Sequence, residues 1–262
     1  MTKEQYSRLV PDDSTPEEQA KVLEELLRMP AEPPKTGNVV FGIAEFSDGY
    51  SVSGINYRGI NSCDFAKATL PSRTQDQHAE HARQAKPDEF RASSAPLVYA
   101  ICKALYKNKD GAQKELVEKT RRTVEGIIGP GKPWIIALSR AKYNPQGLDE
   151  VVHDYKQPTQ YSKNVALVGP DGFITKPETK AEAYAQALLD TTDKPEEINA
   201  VFKWITGNDS YAYRLNATPK QAVERVVALG VNDDVRFNLI VSVGIIDVNW
   251  PALGVRGAKK FP

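Results

Sequence analysis

The sequence predicts an α+β fold, and three observations carry that prediction. Runs rich in Val, Ile, Phe and Tyr, bounded by turn residues, occupy much of the chain up to residue 175, where they mix with helical segments. Helical spacing dominates after that point. The 262 residues are 40% apolar and 26% charged, the composition of a chain that folds around a core rather than one that stays disordered. A chain of this length forms one large domain or two small ones. The expected division is a helical arm and linker over 1–35, an α+β core with a mixed sheet, β-hairpins and covering helices over 36–175, and a mainly helical portion over 176–262 that ends in an apolar segment.

The elements follow in order. Thr15-Pro16-Glu17-Glu18 is a helix start, with Thr15 capping and Pro16 at the first helical position. Val22, Leu23, Leu26 and Leu27 form one apolar stripe on that arm before the stiff linker Ala31-Glu32-Pro33-Pro34-Lys35. Residues 38–46 and 50–58 read as a β-hairpin, with Gly49 supplying positive φ in the loop and Gly42 and Gly54 marking bulges or close approaches. Residues 61–95 read as a long polar loop. Helices are expected over 96–107 and 112–128, the second stopped by Gly129-Pro130-Gly131, and a buried strand over 134–139. A short helix is expected over 148–155, then a second hairpin around Gly169-Pro170-Asp171-Gly172. Three helices follow, over 181–189, 195–205 and 219–229, the last opened by Thr218-Pro219-Lys220-Gln221. Residues 235–248 fit a strand or a helix.

Thirty-four basic residues balance thirty-four acidic ones, so no net field holds a polyanion or an acidic membrane surface. Two cysteines without CxxC spacing exclude a disulfide framework and a zinc knuckle. The N-terminus has no signal-peptide core, and no run reaches the ~18 apolar residues that span a bilayer. A cytoplasmic location with no membrane partner is therefore expected, with non-classical export or delivery into a host cell left open.

The densest cluster of catalytic side-chain types is Gln77-His78-Ala79-Glu80-His81. A His two residues before a Glu allows one side chain to bind a metal while the other moves protons on its bound water. With the preceding hairpin, His78-Ala79-Glu80 resembles the nucleic-acid and nucleotide deaminases, whose core opens with a hairpin and then a helix bearing His-Ala-Glu. The resemblance implies zinc as cofactor, His78 as a ligand, Glu80 as the catalytic acid/base, and a nucleotide or nucleic acid as substrate. It spans residues 38–105. The family's Pro-Cys-x-x-Cys is not reproduced: Cys102 stands downstream without a preceding proline, and Leu105 occupies the position of the second thiolate. His81, His153 or Cys63 would have to complete the ligand set.

Gly129-Pro130-Gly131-Lys132 lacks phosphate-loop spacing, and the aspartates at 190, 193, 209, 233 and 234 lack the alternation of a calcium loop. Tyr211 and Tyr213 with Arg214 suggest an aromatic and basic edge, or more simply one face of a half-buried strand. Two function classes remain: a metal-dependent hydrolase or deaminase-like domain around His78 and Glu80, and a non-catalytic assembly or interaction subunit that uses the N-terminal arm for self-association or a protein partner.

Overall fold

A computed structural model describes residues 40–215, 218–231, 236–241 and 248–258. The helical arm expected over 1–35 lies outside the described residues. Within them the fold is sheet-rich, with twelve strands and five α-helices. The strands are β1 (Gly42–Glu45), β2 (Gly49–Tyr57), β3 (Ile60–Arg73), β4 (Arg91–Ala92), β5 (Ile135–Tyr143), β6 (Glu150–His153), β7 (Tyr161–Asn164), β8 (Gly172–Phe173), β9 (Ser210–Tyr213), β10 (Val223–Val231), β11 (Phe237–Val241) and β12 (Trp250–Gly257). The helices are α1 (Gln75–Gln84), α2 (Ala95–Lys107), α3 (Lys114–Ile128), α4 (Glu182–Leu189) and α5 (Pro195–Thr206).

The strands form two sheets, β1-β2-β3-β12-β4 and β7-β6-β5-β10-β11-β9-β8. All pairings are antiparallel except β9 with β11. This overturns the mainly helical portion expected over 176–262. After α4 and α5 the chain returns as β9, β10, β11 and β12, and the last of these pairs with β3. The segment expected as a helix over 219–229 instead contributes to β10, seated between β5 and β11. Val226, Val227, Ala228 and Leu229 are fully buried there, and a near-continuous apolar run covered on both faces suits a central strand better than a helix. Within 235–248 the described part, β11, is strand.

Three further expectations are corrected. The polar stretch 61–95 holds β3, α1 and β4. Residues 150–153 form β6 against β5 rather than a helix. Around 169–172 no hairpin forms: β7 pairs with β6, and β8 pairs with β9. The first hairpin stands as β1 and β2, but Gly49 serves a different purpose, since a Cβ there would lie 2.4 Å from the Phe65 carbonyl oxygen of β3. Close strand approach, rather than φ, demands the glycine.

The larger core packs α2 on β2, α4 and α5. Phe202 of α5 stacks on Phe237 of β11 at 4.2 Å between ring centroids, each buried ring contributing roughly 1.5–3 kcal/mol. A smaller core gathers Ala79 and Ala82 of α1 with Ile136, Leu138, Val152 and Val226 of the second sheet and Ala252 of β12. The two sheets are joined at Ser93, whose backbone N–H donates to the Leu253 carbonyl of β12 (3.1 Å) while its own carbonyl accepts from Leu138 of β5 (2.8 Å). Beside this junction the surface opens into a cleft.

Candidate functional site

The residues predicted from sequence fall as follows. α1 begins at a capping box: Thr74 Oγ1 accepts from the Gln77 N–H at 3.2 Å, and Gln77 Oε1 accepts from the Thr74 N–H at 3.0 Å. His78 lies on its inner face, fully buried, and its Nε2–H donates to the Trp250 carbonyl at 3.0 Å. Burial holds its pKa below the ordinary value, so the ring is neutral and its Nδ1 has no partner among the described residues. Glu80 faces outward and pairs with Arg83 one turn on. Cys102 lies on α2 in the larger core, its thiol pushed up to about 12 by burial, whereas α1 packs into the smaller core. Cys63 is buried on β3. Among the described residues no three of His, Cys, Asp and Glu come together as a metal-binding group, and these side chains do not fit a zinc ion.

The cleft beside Ser93 has a volume of about 480 Å³. Separate segments bring side chains to it, among them Tyr57 and Arg58 at the β2 to β3 turn, Arg91 and Ser94 between β4 and α2, Leu138 of β5, and Asp154 and Thr159 after β6. A depression of similar size over Lys109 and the exposed face of α3, about 470 Å³, is more open and is lined by surface lysines, glutamates and an arginine. Arg58 and Gly59 both have positive φ, 44° and 82°, which makes a two-residue turn whose twist matches the strands it joins. The turn lays the Arg58 guanidinium 3.8 Å above the Tyr161 ring. Neither Arg58 nor Arg91 makes a salt bridge among the described residues.

Asp154 is placed by the residue before it. His153 is fully buried and stands opposite Ser139 in the register of β6 with β5. Its Nε2–H donates to the Ala187 carbonyl at 2.9 Å, so its Nδ1 accepts from Ser139 Oγ–H at 2.9 Å. Ser139 Oγ in turn accepts the Ala95 N–H at 3.1 Å, one of the free donors that open α2. Burial lowers the His153 pKa to about 4. Both ring nitrogens are therefore committed, and neither is open to a metal. The chain leaves β6 with Asp154 at φ 50°, a left-handed conformation that Asp tolerates better than most residues.

The Ser94 and Thr159 hydroxyls line the cleft with the Asp154 carboxyl and favour its ionised form. Burial raises its pKa above the ordinary carboxylate value, against the pull of these hydroxyls and of the Arg58 and Arg91 charges. Ser94, the residue ahead of α2, makes no cap bond with its side chain. Its Oγ lies 3.3 Å from Tyr57 Oη, which lies 3.0 Å from Tyr161 Oη. Tyr161 donates to Asp190 Oδ2 at 2.7 Å, and Lys163 Nζ closes on Asp190 Oδ1 at 2.7 Å.

Tyr211 and Tyr213 sit half-buried on one face of β9, the simpler of the two sequence readings, and Arg214 is not their cation. Arg214 is buried and donates to the Ala166 and Val168 carbonyls at 2.7 and 3.0 Å. The guanidinium over Tyr211, at 4.3 Å, is that of Arg236.

Fold and cleft together define a two-sheet protein of mixed α and β structure whose cleft sets a half-buried acid, Asp154, among arginines and hydroxyls. No family model, curated protein or solved structure matches the chain. Sequence reasoning missed the cleft because its residues come from segments far apart in the chain. The local signals that pointed to it were Arg58-Gly59, a turn pair, and His153-Asp154 after an apolar run.

Proposed function

We propose that the cleft binds a small organic anion and that Asp154 exchanges a proton with it, making the protein an acid–base enzyme or receptor for an anionic metabolite. The observation that carries this reading is the placement of Asp154 with Arg58 and Arg91 around one recess. Burial disfavours the ionised form of that carboxyl, and in its uncharged form it leaves both guanidiniums to attract an anion. The positive end of the α2 dipole at Ser94 adds to that attraction. An acid whose pKa is raised by burial is also the usual form of a proton donor. This reading is preferred to a zinc-dependent hydrolase or deaminase-like centre at His78 and Glu80, because the His78 Nε2 is occupied by a carbonyl and Glu80 by Arg83.

The test is a melting screen with inorganic phosphate, sulfate, nucleoside monophosphates and small dicarboxylates. At about one hundred times Kd a ligand adds about 2.7 kcal/mol, a rise of several degrees in a chain of this size. At least one organic anion should produce that rise, and Arg91→Gln should abolish it. An equal rise in Arg91→Gln, or none with any anion, would rule the reading out.

A further inference from the structure

The cleft has a charged rim and an apolar floor. We propose that its ligand is an amphipathic carboxylate, with its acidic head between Arg58 and Arg91 and an apolar body laid on the floor. This names the ligand class of the anion site proposed above and rests on that reading.

The floor is made by the cores themselves. Leu97 and Val255 belong to the larger core, and Ala82, Ala92 and Leu138 to the smaller. All five reach the cleft, because it opens beside Ser93, where the two sheets are joined. These five residues are buried, whereas Arg58, Arg91 and Thr159 are exposed, so the charge lies at the mouth and the apolar groups lie below it. Register sets a polar side chain beside an apolar one at three places. Arg91 of β4 stands opposite Val255 of β12, and residues directly opposite in an antiparallel pair project from the same face. Tyr57 stands opposite Ile60 across the Arg58-Gly59 turn. Leu97 follows Ser94 by three residues at the start of α2, and residues at that spacing are neighbours on a helix surface.

Such a recess selects its ligand on two counts. A small hydrophilic anion satisfies the arginines but leaves water over the floor, and it gains nothing from burial. An apolar body displaces that water, and each methylene that leaves water for an apolar surface tightens binding. The head is selected as well. A carboxylate presents two oxygens, which suits the planar fork of a guanidinium. A phosphate brings more oxygens and a second charge, and these would face core side chains that offer them no hydrogen bond. The volume of about 480 Å³ lies in the range of pockets that enclose small organic molecules.

The experiment is an NMR titration of the full chain at one fixed pH with the straight-chain carboxylates from acetate to hexanoate, read at the backbone amides of Ala92 and Leu97. Affinity should rise about threefold with each added methylene. Hexanamide has the same body and no charge, and it should bind roughly tenfold or more weakly than hexanoate. Ile60→Thr keeps a β-branched side chain at a half-buried strand position and should flatten the rise along the series. Val255→Thr, a second variant should the first not fold, should do the same. Hexyl phosphate should bind more weakly than hexanoate, and the reverse order would overturn the carboxylate head. Equal affinities from acetate to hexanoate would overturn the amphipathic ligand and leave the anion site standing. Binding by none of the acids, or hexanamide binding as tightly as hexanoate, would overturn the inference and the anion site together.

Discussion

Ser139 and His153 face each other across β5 and β6 with Oγ and Nδ1 2.9 Å apart, and this contact fixes the turn from which Asp154 projects. The pair looks like the nucleophile and base of a hydrolase, but its protons run the other way. His153 is held as a neutral acceptor by its own donation to Ala187, and both side chains are fully buried. The pair is a brace for the cleft.

The brace makes stability depend on pH. The His153 pKa falls from 6.5 in the unfolded chain to about 4 in the fold, so between these values the unfolded state binds the extra proton. Stability is complete above about pH 6.5 and declines toward pH 4, by up to about 3 kcal/mol for this group. Melting curves at several pH values check it. His153→Gln should be less stable at neutral pH and should lose this part of the acid sensitivity.

The first sheet carries a buried ion pair. Arg256 of β12 donates through Nε to Asp64 Oδ2 on β3 at 3.2 Å, and both residues are buried. Removing Asp64 leaves the buried Arg256 only the exposed Asp48 carboxylate (3.3 Å) and the Asp88 carbonyl (2.9 Å), so Asp64→Ala should cost up to about 3 kcal/mol, whereas Asp64→Leu with Arg256→Met should recover much of it. Denaturant unfolding of the single and double variants measures both.

Gly230 lies under Trp134. A Cβ at Gly230 would stand 2.6 Å from Trp134 Cδ1 and 3.2 Å from Trp134 Cα, and Trp134 is itself packed edge-on to Trp250 at 5.5 Å. Gly230→Ala should therefore destabilise by about 1–3 kcal/mol. A change below about half a kcal/mol in urea unfolding would show that Trp134 is free to move.

Added zinc or a chelator should leave the melting temperature unchanged, because His78 spends its Nε2–H on Trp250 and Cys102 sits in a different core from α1. A zinc-dependent rise lost in His78→Ala would restore the metal reading.

Much of the helical structure was legible in the sequence. The periodic segments at 96–107, 112–128, 181–189 and 195–205 correspond to α2, α3, α4 and α5, and the first hairpin and β5 were legible from their β-branched and aromatic residues. The errors have physical causes. β3 looked like a loop because only Cys63 to Ala66, in its middle, are buried, and its ends are polar. The Thr74 and Gln77 pair that starts α1 was a readable capping box inside that stretch. β10 was taken for a helix because a local Thr-Pro start signal preceded it, while the decisive fact, a neighbouring strand on each side, is not local. The candidate site was hidden for the same reason. Tyr57 and Tyr161 meet at 3.0 Å although 104 residues separate them, and no spacing in the chain records that meeting.

The central claim is that a neutral Asp154 faces an anion held by Arg58 and Arg91. Its most direct measurement is a calorimetric titration at a series of pH values spanning the ionisation of Asp154, with an anion whose own charge is constant over that range. Binding by wild type should weaken as the pH rises and Asp154 ionises, and Asp154→Asn should bind with the affinity of the acid form at every pH. Parallel pH profiles for wild type and Asp154→Asn would contradict the account.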